Sequence, residues 1–151
     1  MELILWRHAE AEDAAAGGDL ARALTKRGRK QAGSVGRWLA RRLDDDWVVL
    51  ASPARRAAQT AKGLGRDFEE REALGPAAGA EEILREAGWP GGKRSVLIVG
   101  HQPTLGEAAA RLLGLRGGLE IRKGAAWWFA AKRGEVFLKA VMDPELAGGR
   151  G

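Results

Sequence analysis

A chain of 151 residues without a cysteine fits one domain with a core of its own, and it excludes disulfides, thiolate metal sites and cysteine nucleophiles. The net charge of +5 and a pI near 10.1 suit an anionic partner without separating nucleic acid from phosphoprotein or phosphorylated metabolite. The opening MELILWRHAE lacks the basic start and long apolar stretch of a signal peptide, and no run approaches the roughly 18 apolar residues of a membrane span, so a soluble, cytoplasmic protein is expected.

Residues 2 to 6 form an apolar run that stops abruptly at Arg7 and His8. Similar runs cover 47 to 51 and 95 to 100; none alternates, as expected for strands covered on both faces of a parallel sheet. Residues 9 to 19, AEAEDAAAGGD, read as a loop leaving the first strand. From 26 to 43, Gly28, Ala32, Val35 and Leu39 share one helical stripe behind Thr25 as N-cap, and most basic residues of that helix fall outside the stripe, as on a solvated face. A second helix is expected over 53 to 64, with Ser52 as N-cap and Pro53 at its first position. A short helix over 80 to 87 precedes a turn region from Gly88 to Lys93. The helix over 105 to 113 has capping-box spacing in Thr104 and Glu107, and Gly114 ends it. AAWWFAA and EVFLKAVM flank Lys132, Arg133 and Gly134 as a β-hairpin, with Trp127, Trp128 and Phe129 in the core and on the sheet face.

Strands alternating with helices predict an α/β fold, a three-layer α/β/α sandwich whose central sheet is mostly parallel and carries a C-terminal hairpin. One domain is expected over 1 to 142, followed by a frayed, flexible tail over 143 to 151.

Ligands of open α/β sheets bind beyond the carboxyl ends of strands. Here those ends deliver Arg7 and His8, then Ser52 with Arg55 and Arg56 behind it, then His101 and Gln102. Two imidazoles with at least two guanidiniums describe a phosphoryl site, because guanidinium forks match phosphate oxygens and offset their charge. A neutral imidazole can attack phosphorus, and His8 beside Arg7 is the better nucleophile. Arg7, Arg56 and a protonated His101 would then stabilise the transferring group, a design that requires no metal and no other cofactor.

At these residues the sequence resembles the histidine phosphatase superfamily. WRHAEA resembles its Arg-His-Gly signature, LTKRGRKQA its Leu-Thr-x-x-Gly-x-x-Gln-Ala segment, SPARRAAQT its S-P-x-x-R-A-x-Q-T segment, and VGHQPTL its second-histidine segment. The segments keep the family's order across residues 4 to 105. The short chain, without the insertions of the phosphoglycerate mutases, looks most like the SixA-type phosphohistidine phosphatases. The resemblance implies a phosphoglycerate mutase-like fold with His8 as phosphorylated nucleophile, Arg7 and Arg56 as phosphate clamps and His101 as second histidine of the pocket. Gln102, Arg22 and Ser52 are further expected substrate contacts.

The sequence departs from the pattern in two places. Ala9 stands where the signature has glycine. The region that would supply a general acid, GPAAGAEEILREAG, offers Glu81 and Glu82 without a clear match. A phosphoramidate releases imidazole, a far better leaving group than an alkoxide, so the weak acid signal leans toward phosphohistidine. The expected activity is a metal-independent phosphatase acting through a phosphohistidine intermediate on phosphohistidine carried by a protein. The alternatives are a phosphatase of small phosphate esters and, in another class, a non-catalytic basic module. No helix-turn-helix, zinc-finger or RNA-recognition signature is present, so nucleic acid is not an expected partner, and neither is a membrane.

Overall fold

A computed structural model describes residues 1–89 and 91–148. One position of the expected Gly88 to Lys93 turn, residue 90, and the last three of the expected tail lie outside the described residues. The strands are β1 (Glu2–Arg7), β2 (Val48–Ala51), β3 (Glu69–Glu70), β4 (Val96–Gly100), β5 (Ala126–Lys132) and β6 (Glu135–Met142). The helices are α1 (Lys26–Ala40), α2 (Arg55–Lys62), α3 (Ala80–Glu86), α4 (Thr104–Leu112) and a single turn, α5 (Pro144–Ala147). No helix among the described residues is long and apolar enough to cross a membrane.

One mixed sheet runs in the order β3-β2-β4-β1-β5-β6. β1 and β4 pair in parallel, as do β4 with β2 and β2 with β3, while β5 and β6 add an antiparallel hairpin. Alternate residues of β1 feed opposite cores, as the two-residue period of a strand requires. Leu3 and Leu5 pack with Ile83, Leu105 and Leu112 of α3 and α4. Ile4 and Trp6 pack with Val35, Leu39, Ala57 and Ala61 of α1 and α2. That division makes the expected three layers, and its two-sided burial explains why the inner strands do not alternate in sequence.

On one face, α1 and α2 approach closely enough that a methyl at Gly36 would collide with the Gly63 carbonyl, and one at Gly63 with the Ala32 carbonyl. At the far edge, β6 leaves Phe137, Leu138 and Val141 partly in solvent.

Several boundaries differ from expectation. α1 ends at Ala40 rather than 43. α2 starts at Arg55 because Pro53 favours an extended Ser52, whose hydroxyl closes a local turn by accepting from Ala54 N at 3.2 Å. Ser52 therefore lies outside the helix and is not its N-cap. Thr104 is likewise not a cap: its hydroxyl donates to the Ala78 carbonyl at 2.8 Å, and Gln102 Oε1 takes the Gly106 N–H at 2.6 Å instead. The expected Thr25 cap is present, accepting from Gly28 N at 3.0 Å. Where a tail was expected, Asp143 accepts from Glu145 N at 3.0 Å and pairs with Arg122 at 3.3 Å, starting the α5 turn that packs on α1.

Candidate active site

His8 continues the ladder of β1 by one residue. Its N–H donates to the Gly100 carbonyl and its own carbonyl accepts from Gly124 N, at 3.0 and 3.1 Å, so its backbone is held from both sides. Three side chains anchor the next turn. Thr60 Oγ1 accepts from Ala9 N at 3.0 Å, Gln31 Oε1 accepts from Glu10 N at 3.0 Å, and Gln59 Oε1 accepts from Leu24 N at 2.7 Å. Gly28 is required beneath this turn because the Glu10 carbonyl occupies the place of a β-carbon. The residues 9 to 19, expected as a loop, thus leave the site under restraint, closed by a bridge between Ala11 and Leu24.

His8 is 9 % exposed, and its ring Nδ1 lies 2.8 Å from the Ala9 carbonyl. A carbonyl only accepts, so in the neutral ring Nδ1 carries the proton and Nε2 keeps its lone pair. Burial, followed by Arg56, Arg7 and Arg22, pushes the His8 pKa down to about 4 against the opposing pull of the Ala9 carbonyl. The ring is neutral at neutral pH.

β4 ends at Gly100, and its parallel pairing with β1 brings His101 beside His8, with ring centroids 5.2 Å apart. His101 Nε2 lies 2.8 Å from the Ser52 hydroxyl. Since that hydroxyl already accepts from Ala54 N, the arrangement satisfying all three groups has Ser52 donating to Nε2, which leaves the ring proton on Nδ1. Burial, then His8, Arg56 and Arg7, outweigh Asp19 and push the His101 pKa down to about 3, so the ring is neutral in the phosphate-free protein; the protonated His101 expected from the sequence belongs to the state with a phosphoryl group bound.

The guanidiniums are fixed by backbone and by one carboxylate. Arg7 Nη1 donates to the Ile121 carbonyl at 2.9 Å. Arg56 is 5 % exposed and donates through Nη1 to the Asp19 carbonyl at 2.8 Å and through Nη2 to Asp19 Oδ2 at 3.1 Å. Both Nε atoms are buried without a partner among the described residues. Arg71 Nε, outside this cluster, is orphaned in the same way, so what sets Arg7 and Arg56 apart is their charge beside the two imidazoles. Arg55 is exposed.

Arg22 holds the other Asp19 oxygen at 3.0 Å and reaches the Glu12 carbonyl at 2.6 Å. Hydrogen bonds from Arg22 and Arg56 keep the Asp19 carboxyl below its usual range. Other expected contacts lie elsewhere. Gln102 directs both ends of its amide to backbone, to Gly106 N and the Leu119 carbonyl, so it braces a loop where a substrate contact was expected. Glu82 caps its own helix through Gly79 N at 2.9 Å and Glu81 is exposed; neither hydrogen-bonds the histidines or arginines of the cluster among the described residues. Asp19 and Thr60 were missed as site residues, although Gln59 and Thr60 already stand in the quoted SPARRAAQT segment.

The sequence profile of the histidine phosphatase superfamily (branch 1) matches residues 3–89. A phosphohistidine phosphatase SixA homolog of Haemophilus influenzae is 35% identical over 135 residues, covering 77% of this chain and 79% of that protein. Among solved structures, the protein histidine phosphatase SixA complexed with tungstate superposes with a TM-score of 0.81 at 26% identity, over 95% of this chain and 97% of that one. A phosphohistidine phosphatase SixA of Nakamurella multipartitia, described as putative, has a TM-score of 0.77 at 29% identity, over 95% of both chains.

Proposed function

The chain belongs to the histidine phosphatase superfamily and is a phosphatase, and on that premise we propose that it hydrolyses phosphohistidine carried on a protein, without a metal, through a phosphoryl intermediate on His8. The observation that carries this reading is the His8 ring itself, with Nδ1–H directed to the Ala9 carbonyl and Nε2 unpartnered among the described residues. Nε2 attacks phosphorus, a P–N bond forms to His8, and the P–N bond to the substrate imidazole breaks, that imidazole taking a proton from water as it leaves. The phosphorylated His8 ring is cationic, and the Ala9 carbonyl stabilises its Nδ1–H. Water then attacks phosphorus, the P–N bond to His8 breaks with its electron pair returning to Nε2, and inorganic phosphate leaves, a proton of the attacking water neutralising the hydroxide left by the first step.

Arg7 and Arg56 supply the charge that the phosphoryl oxygens require, each with an unused Nε–H, and the His101 Nδ1–H is a third donor. Both guanidiniums act on His8 from close by, and charge stabilisation is assigned to them. The engagement of Glu82 in its own helix supports phosphohistidine over a phosphate ester, whose alkoxide needs an acid partner.

Turnover of radiolabelled phosphohistidine protein, quenched in base, should trap label on the parent enzyme. Acid should remove it, and His8→Ala should lose both label and turnover. A labelled His8→Ala protein would refute the assignment.

A further inference from the structure

Next to the phosphate site lies a groove of about 710 Å³, walled by α1, the 120–123 loop and the α5 turn, and sharing Arg7 with the site. Its lining is lopsided in charge. Arg27 and Arg122 are engaged, by Glu10 at 4.0 Å and Asp143 at 3.3 Å. Arg29, Lys30, Arg37 and Lys123 also line it and have no carboxylate within salt-bridge distance among the described residues, against two leftover acids, Glu120 and Glu145. An open basic helix face would only gather counter-ions. Walls of lower dielectric on either side focus the field and favour an anionic chain over isolated ions.

We propose that this groove is a docking surface for an acidic segment of the phosphoprotein substrate, flanking the phosphohistidine that enters at His8. The proposal rests on the phosphohistidine reading above and adds to it where the substrate lies and what charge it carries. A chain lying in the groove reaches the phosphate site at Arg7, the residue common to both. No aromatic side chain lines the groove, so it offers no platform for stacking bases. Its net positive lining is not self-complementary, which disfavours a symmetric contact with a second copy.

The test uses two synthetic peptides with a central histidine phosphorylated by phosphoramidate, one flanked by glutamates and one by glutamines. The parent enzyme should favour the glutamate peptide by about tenfold in kcat/KM at low salt, and the preference should fall toward unity near about 0.5 M salt. A Lys30→Glu/Arg37→Glu double variant should lose the preference while hydrolysing the glutamine peptide at the parental rate. An equal preference in the parent, or one retained in the double variant, overturns the proposal. Should neither peptide be hydrolysed, the phosphohistidine reading fails by itself, and fluorescence anisotropy of the unphosphorylated glutamate peptide decides the groove. Binding by the parent and loss in the double variant uphold it, and equal or absent binding overturns it. Tighter binding of a single-stranded oligonucleotide of matched charge, or a dimer that the double variant loses, overturns it in favour of nucleic acid or a second copy.

Discussion

Asp19 grips the outer end of the Arg56 guanidinium, its carbonyl 2.8 Å from Nη1 and its carboxylate 3.1 Å from Nη2, and leaves the buried Nε edge free. An arginine presents a two-pronged edge through Nε and one Nη, so Asp19 aims the fork instead of occupying it. Asp19→Ala removes the carboxylate bonds to both Arg56 and Arg22, and losing the one to Arg56, ~1.5 kcal/mol, should lower kcat about tenfold with little change in Tm. Asp19→Asn should recover part of the rate, because its amide oxygen can still accept from Nη2. An Asp19→Ala enzyme that binds inorganic phosphate more tightly and turns over faster would show that the carboxylate competes with the phosphoryl group.

Two adjacent arginines separate by burial. Arg55 and Arg56 are the first residues of α2, about 100° apart around its axis, and only Arg56 is buried toward the histidines. Arg56→Ala should lose about 3 kcal/mol of transition-state stabilisation, or about a hundredfold in kcat, and stay folded by circular dichroism. Arg55→Ala should stay within a few-fold on a small substrate. The opposite ranking would move the clamp to the exposed position.

Both histidines titrate well below the ordinary value of 6.5, His8 at about 4 and His101 at about 3. The unfolded chain therefore binds more protons than the folded one between those values and 6.5. Stability is complete above about pH 6.5 and falls as pH drops toward 4 and then 3, by at most ~1.4 kcal/mol per pH unit for each histidine. Urea unfolding of the phosphate-free protein at several pH values should show this slope, and His101→Asn should flatten it. His8, the proposed nucleophile, stays unprotonated down to about pH 4, so the acidic limb of kcat/KM should lie there. A limb near 6.5 would mean that the ring is not held as described.

The Thr60 hydroxyl accepts from Ala9 N at 3.0 Å and donates to the Arg56 carbonyl at 2.8 Å, joining the residue after the proposed nucleophile to the helix that carries Arg56. Thr60→Val keeps the shape and leaves the buried Ala9 N–H without a partner, which costs ~1–3 kcal/mol. Tm and kcat should fall together, and Thr60→Ser should restore both. A Thr60→Val enzyme with parental Tm and kcat would mean that the anchor is dispensable.

The meeting of His8 and His101 was legible in the sequence because two apolar runs each end on a histidine, and parallel pairing of such runs aligns their ends. The Thr25 cap was legible for a similar reason, since it depends on three neighbouring residues. Asp19 was not, because its bond to Arg56 spans 37 residues and leaves no periodic trace. β3 escaped notice because two exposed glutamates carry no apolar signal, their strand arising from pairing with Leu50 and Ala51. Ser52 was read as a cap by local spacing, whereas the hydroxyl serves a histidine 49 residues away. Gln102 looked like a substrate contact by adjacency to His101, and the backbone of the following helix claimed it.

The contact between Gly36 and Gly63 sets the spacing of α1 and α2. The first helix carries Gly28 and Gln31, the second Arg56, Gln59 and Thr60, so the two halves of the histidine's cradle ride on different helices joined at that crossing. A single methyl group there would move Arg56, a side chain it never touches. Variants at 36 or 63 would therefore look like defects of chemistry in an activity screen, and only a melting curve would sort them as defects of architecture.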